Sequence, residues 1–111
     1  MSRKGTSSFV IQRATAVLLI PLAIWLLINI VTHIGADYAS ARAWLEAPFN
    51  GLLLGAFLII GAWHMRIGMM EIIADYIYSS LKGALLFINW LVALGVIAAV
   101  AWSIYHISFA G

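Results

Sequence analysis

Residues 61–76 read GAWHMRIGMMEIIADY. The stretch is rich in Ile, Met, Ala and Trp, yet it also holds His64, Arg66, Glu71 and Asp75. Where those four side chains point decides what kind of helix this is. Turning about 100° per residue from His64 puts Gly61 at about +60° and Gly68 at about +40°. On the same wheel Glu71 falls at about −20° and Asp75 at about +20°. One face therefore reads Gly, His, Gly, Glu, Asp, and the rest is mainly apolar. Arg66 lies about 200° round, on the opposite side.

The remainder of the chain sets the solvent. Of its 111 residues 65% are hydrophobic and 9% charged, against about 45–50% and about 25% in soluble domains. A water-facing surface cannot be built from that composition. Residues 1–111 are expected to form a single membrane domain. Three apolar segments, 14–32, 51–73 and 84–107, each approach the ~20 residues that carry a helix across about 30 Å of hydrocarbon. Lipid offers the backbone no hydrogen-bond partners, so the spans must be helices. The expected fold is all-α with three transmembrane helices.

Pro21 lies inside the first span and implies a kink or a local repair. Residues 35–50, GADYASARAWLEAPFN, predict an amphipathic turn or short helix at the interface, anchored by Trp44 and Phe49. Residues 75–83, DYIYSSLKG, form the second connection. The chain has no cysteine, which removes disulfides and thiolate metal sites. A net charge of +2 is too small to imply nucleic acid.

Charge placement predicts orientation. Arg3, Lys4 and Arg13 lie at the start of the first span and Lys82 on the second connection, whereas the first connection holds only Arg42. The positive-inside rule puts the amino terminus and second connection in the cytoplasm, and the first connection and carboxyl end outside. A multi-pass protein of a bacterial inner membrane, with its carboxyl terminus in the periplasm, is the expected location. The first apolar run exceeds the about 7–15 residues of a signal-peptide core, so it reads as a span.

With Asp75 at the cytoplasmic end, His64 lies about 16 Å inward at ~1.5 Å per residue, close to the midplane. An ionisable group there should face protein or a cofactor. Two readings stay open on spacing alone. The imidazole could hydrogen-bond a neighbouring helix, with the glycines serving close packing. Alternatively it could ligate haem iron, with the glycines leaving a flat patch for the macrocycle. Met65, Met69 and Met70 could line such a pocket or simply fill space. His33 and His106 fall near the outer ends of their spans, so only His64 is deep enough, and a second axial histidine would need another chain.

The spacing His64, ten residues, Asp75-Tyr76 resembles the second helix of the small hydrophobic membrane-anchor subunits of succinate dehydrogenase, respiratory complex II. QRATAVLL, Gln12–Leu19, resembles that family's entrance to the first helix. The resemblance implies that this chain is half of a heterodimeric membrane-anchor bundle, whose other half is a cytochrome b subunit. It implies that His64 is an axial ligand of haem b, shared with a histidine of that other anchor chain, and that Arg13 lies near the haem propionates. It also implies that Tyr76 hydrogen-bonds a ubiquinone carbonyl and that Asp75 helps organise the quinone site. Besides the cytochrome b subunit, the implied partners are the iron–sulfur subunit and the flavoprotein subunit. The chain alone would not oxidise succinate. Arg66 departs from members that carry an aromatic residue there; it could snorkel, or meet a propionate or a partner carboxylate.

Rivals remain. A quinol:fumarate reductase anchor would share the pattern and run the reaction backwards, and an anchor that has lost the haem would share the fold. A small multidrug-type transporter would need four spans and a carboxylate in the first, and neither is present. A cofactor-free assembly protein would use the polar stripe only for packing.

Overall fold

The computed structural model describes residues 3–110, with side chains from Ser7 onward. The side chains of Arg3 and Lys4, on which part of the orientation rests, lie outside the described residues. Four helices follow one another: α1 (Arg3–Thr32), α2 (Tyr38–Glu46), α3 (Pro48–Tyr76) and α4 (Leu81–Ile104). A π-helical turn, Tyr105–Phe109, continues α4. Three segments are long and apolar enough to cross a membrane: Ser7–Thr32, Pro48–Tyr76 and Leu81–Phe109. The long axis measures 49 Å, enough for about 30 Å of hydrocarbon and both interfaces.

Each span is longer than the apolar run that announced it. Ser7, Ser8, Gln12 and Arg13 continue α1 outward, because a helix satisfies its own backbone whether its side chains are oily or polar. The helix also runs on through Pro21 without a break in its assignment. Pro48 begins α3, where a missing N–H costs nothing, and Ala47 before it is extended at ψ 123°, as a residue preceding proline prefers. Gly35, with φ of 85°, turns the chain away from the end of α1 in a conformation that suits glycine.

α2 is the short helix expected on the first connection. Asp37 caps it, its Oδ1 accepting from the Ser40 backbone N–H at 2.8 Å, and that bond holds its carboxyl below the ordinary carboxylate range. Arg42 and Glu46 pair at 3.0 Å across one turn, so the single cation of this connection is locally balanced. Trp44, half-buried, also binds inside the chain. Its Nε1 donates to Asn29 Oδ1 at 2.9 Å and its ring stacks on Trp25 at 5.8 Å, which pins α2 to α1. Phe49 stays exposed.

α3 is the central element, with α1 and α4 both packed on it. Among the described residues the only buried apolar side chains are Ile67, Ile73 and Ala93, all on α3 or α4. Most of the apolar surface therefore faces outward, toward lipid or another protein. At the Trp44 end the chain closes on itself. Ser108 in the π-helical turn donates its Oγ proton to Leu45 O at 2.6 Å, satisfying a carbonyl left over at the end of α2. Gly51 makes room for it: a Cβ there would collide with Ser108 Oγ and lie 2.5 Å from its Cβ.

Gly51→Ala should therefore destabilise this end by about 1–3 kcal/mol through overpacking, read as a lower thermal midpoint in detergent. Adding Ser108→Gly should restore part of the loss. A single variant as stable as the parent would show that the contact yields freely.

Candidate functional site

The polar stripe of α3 faces α1. A Cβ on Gly61 would meet Leu19 at 3.9 Å and one on Gly68 would meet Gln12 Nε2 at 3.3 Å. Between them Thr15 Oγ1 lies 2.8 Å from His64 Nδ1. The two helices run antiparallel with Leu19, Thr15 and Gln12 opposite Gly61, His64 and Gly68. The flat patch expected to be free for a macrocycle is thus covered by α1, because small residues let the helix backbones approach. What remains open is the flank of the histidine.

His64 is half-buried and borders a cleft of about 310 Å³ shared with Phe9, Gln12, Arg13, Ala16 and Glu71. Its Nε2 makes no hydrogen bond among the described residues. Arg13 lies over the Phe9 ring, its Cζ 5.0 Å from the centroid, a cation–π contact that holds the guanidinium at the cleft. Gln12 Oε1 is buried there without a hydrogen-bond partner among the described residues. The cleft thus joins one imidazole with a free ring nitrogen, one guanidinium, one carboxylate and one unsatisfied amide oxygen. The described residues contain no cluster of three metal-ligating side chains, and a single axial imidazole does not require one.

Asp75 and Tyr76 stand apart from this cleft, at the end of α3 about 16 Å along the axis from His64. Both are exposed, Tyr76 by 75%. The end of the helix is tied down by other groups: Tyr78 donates to Asp75 O at 2.5 Å and Lys82 Nζ to Ala74 O at 3.3 Å. These bonds satisfy leftover carbonyls and leave the Asp75 carboxylate and Tyr76 phenol presented outward. The structure brings His64 and Arg13 together and keeps Asp75 and Tyr76 as a second group.

Arg66 belongs to neither group. It is 8% exposed and lies against two indoles, its Cζ 4.3 Å from the Trp63 centroid and 4.0 Å from that of Trp90. Asn89 Nδ2 donates to Arg66 O at 2.9 Å, so the same turn is held to α4 by both its side chain and its carbonyl. The guanidinium is held on the side of α3 away from His64, by indole faces within the chain rather than by snorkelling. The outer histidines are also accounted for: His33 Nδ1 lies 2.8 Å from Asn29 O, and His106 packs on Trp102 at 4.1 Å.

Thr15, Tyr78 and Lys82 were not legible as site residues. A hydroxyl in a span usually bonds its own helix, and nothing in the sequence says which helix it will also face.

The sequence profile of the family described as Succinate dehydrogenase/Fumarate reductase transmembrane subunit matches residues 1–102. The chain belongs to that family. It is similar to a protein of Rickettsia conorii called succinate dehydrogenase hydrophobic membrane anchor subunit, at 28% identity over 107 residues, covering 95% of this chain and 85% of the relative. A succinate dehydrogenase membrane anchor subunit of Reclinomonas americana is 31% identical over 80 residues, covering 69% of this chain and 67% of the relative. No solved structure matches the chain. Family and fold together make it a multi-pass membrane-anchor subunit, working in association with the other subunits of its complex. The transporter and the cofactor-free assembly protein fall away as families.

The contact of Arg66 with two indoles, themselves edge to face at 77°, gives a stability prediction for this anchor. Trp90→Leu should weaken α3–α4 packing, and a double-mutant cycle with Arg66→Met should return a coupling of about 0.5–2 kcal/mol. Thermal unfolding of the detergent-purified complex measures it, and a coupling near zero would show that the rings only fill space.

Proposed function

We propose that this chain is the small hydrophobic anchor of a bacterial succinate:ubiquinone oxidoreductase. In this reading it shares haem b with a second anchor chain, the cytochrome b subunit. It helps form the ubiquinone-reduction site and anchors the iron–sulfur and flavoprotein subunits at the inner membrane. The single observation that carries the reading is the cleft beside His64. A deep imidazole there has one ring nitrogen engaged by Thr15 and the other without a hydrogen bond among the described residues, and it shares its cleft with Arg13. That donor set suits one axial position of a haem and a basic group for its propionates.

His64 would hold the iron from this side, and the cytochrome b partner would supply the second histidine. Haem b, when bound, supplies a one-electron redox centre inside the membrane. Arg13 would balance propionate charge, and its contact with Phe9 keeps it at the cleft. The packed α1–α3 face around Gly61 and Gly68 excludes water from the far side of the ring.

Asp75 and Tyr76 would serve the quinone. The Tyr76 phenol is a neutral donor at the helix end, suited to a hydrogen bond with a ubiquinone carbonyl. Asp75 stands beside it where the membrane meets water, suited to passing protons inward as ubiquinone gains two electrons and two protons. Orientation follows the charges: amino terminus and second connection in the cytoplasm, carboxyl terminus in the periplasm. That puts Asp75 and Tyr76 on the side where a soluble iron–sulfur protein would dock. The relatives' names favour the succinate-oxidising direction over fumarate reduction.

Two variants of the assembled complex test the reading. His64→Ala should remove or loosen the haem, seen as loss of the reduced b-type band; an unchanged spectrum argues against ligation. Tyr76→Phe should lower ubiquinone reduction about tenfold or more, within the range of removing a positioned proton-transfer group, while succinate oxidation by an artificial acceptor stays near the parent value. Equal loss of both activities would instead point to faulty assembly.

A further inference from the structure

We infer that Thr15 is a positioning residue that selects the tautomer of His64, placing the proton on Nδ1 and leaving Nε2 as the nitrogen that can bind iron. The inference rests on the haem reading above and concerns this chain's own part in it.

Proton counting on one hydroxyl leads there. Thr15 Oγ1 has three neighbours at hydrogen-bond distance: Ile11 O at 2.8 Å, Gln12 O at 3.1 Å and His64 Nδ1 at 2.8 Å. A threonine hydroxyl owns one proton and can accept through its lone pairs. The two carbonyls can only accept. An oxygen–oxygen approach of 2.8 Å is the usual length of a hydroxyl hydrogen bond, and without a proton it would set lone pair against lone pair. The single hydroxyl proton therefore goes to the backbone of α1, a common bond for threonine in a helix. Nothing is left for Thr15 to donate to the imidazole. The remaining bond forms only if the ring donates, Nδ1–H to Oγ1. A neutral imidazole with its proton on Nδ1 has a bare lone pair on Nε2.

The order of donors also sets the strength. The hydroxyl that gives its proton to a carbonyl becomes a better acceptor, so the two bonds reinforce each other. Ring donation from Nδ1 raises the basicity of Nε2, the usual office of the group behind a metal-bound histidine. That place is commonly taken by a carboxylate or a carbonyl. Glu71 and Asp75 share the polar face of α3, but Nδ1 is engaged by the hydroxyl of α1. A neutral acceptor leaves the ring less negative than a carboxylate would. The register of α1 on α3, allowed by Gly61 and Gly68, places Thr15 opposite the ring. The glycines thus serve both readings of the stripe at once.

The test uses the assembled, haem-loaded complex carrying Thr15→Val, Thr15→Ser or His64→Ala. Valine keeps the shape and removes the acceptor, whereas serine keeps the acceptor and loses a methyl group. Three quantities are read: the haem midpoint potential, the electron paramagnetic resonance of the oxidised haem, and the rate of haem loss to apomyoglobin. Thr15→Val should shift the potential upward, alter the resonance and speed haem loss about tenfold or more, the usual scale for deleting such a partner. Thr15→Ser should stay near the parent in all three. If valine prevents assembly, Thr15→Ala, which adds no bulk, carries the same comparison. Unchanged potential, resonance and loss rate in the variant lacking the acceptor would overturn the role of Thr15, as would equal changes in valine and serine. His64→Ala separates the two claims: a complex that keeps its haem and spectrum without His64 overturns the haem reading itself.

Discussion

Hydrocarbon offers a polar side chain no partner, so most polar groups along these spans are answered by another part of the protein; among the described residues Gln12 Oε1 and Arg66 Nε are buried without a hydrogen bond. The positions of α1, α2 and α4 around α3 follow from that demand. Thr15 meets His64 between α1 and α3, Asn89 and the indoles meet Arg66 between α4 and α3, and Trp44 meets Asn29 between α2 and α1. Apolar contacts alone could not specify this arrangement, since lipid tails are as oily as leucine and give helices no reason to choose one another. The sparse polar groups select the register, and glycines at Gly51, Gly61 and Gly68 let the backbones come close enough to use it.

Arg66 shows how far this goes. A guanidinium near the middle of a span is among the costliest groups to insert, about 2.5–3.5 kcal/mol on translocation scales. No carboxylate of the chain is on its side: Glu71 and Asp75 share the face of His64, and Asp37 and Glu46 belong to α2 and its cap at the far end. Two indoles replace the counter-ion. Each supplies the negative face of a ring, and together they offset much of the insertion cost if each contributes up to about 2 kcal/mol when desolvated. A positive charge is thereby kept inside the chain without drawing on the acids that the other face of α3 presents.

Helix periodicity made much of this legible. The wheel through His64 correctly separated the stripe from Arg66, because a period of 3.6 is a property of one helix and needs no neighbour. The three spans and the short helix on the first connection were readable for the same reason: each follows from local composition and the absence of water. What escaped was pairing between distant segments. Nothing in residues 12–19 announces that Thr15 rather than Ala16 will face His64, and nothing near Arg66 announces Trp90, far along the chain on another helix. The π-helical turn at Tyr105–Phe109 was equally hidden. Its wider winding shifts Ser108 round to meet Leu45, and such a shift is decided by the contact rather than by the residues that make it.

The two ends of the molecule are finished differently, and the difference bears on what the chain is for. At the Trp44 end α2, α3 and the π-helical turn close on one another through Ser108 and Gly51, and polar groups there are spent on internal bonds. At the Tyr76 end the helix carbonyls are tied by Tyr78 and Lys82, while the Asp75 carboxylate and the Tyr76 phenol are left facing outward. Turning those two groups inward would cost desolvation unless each found a partner there, and the bonds to the carbonyls leave both side chains free for a partner outside the chain. Under the quinone reading proposed above, a tied backbone would let the acid and the phenol lose less freedom when a ligand arrives. The two ends share one backbone element, α3, which runs unbroken from Pro48 to Tyr76 past the His64 cleft; a contact that fixes its register at one end therefore fixes the placement of the other.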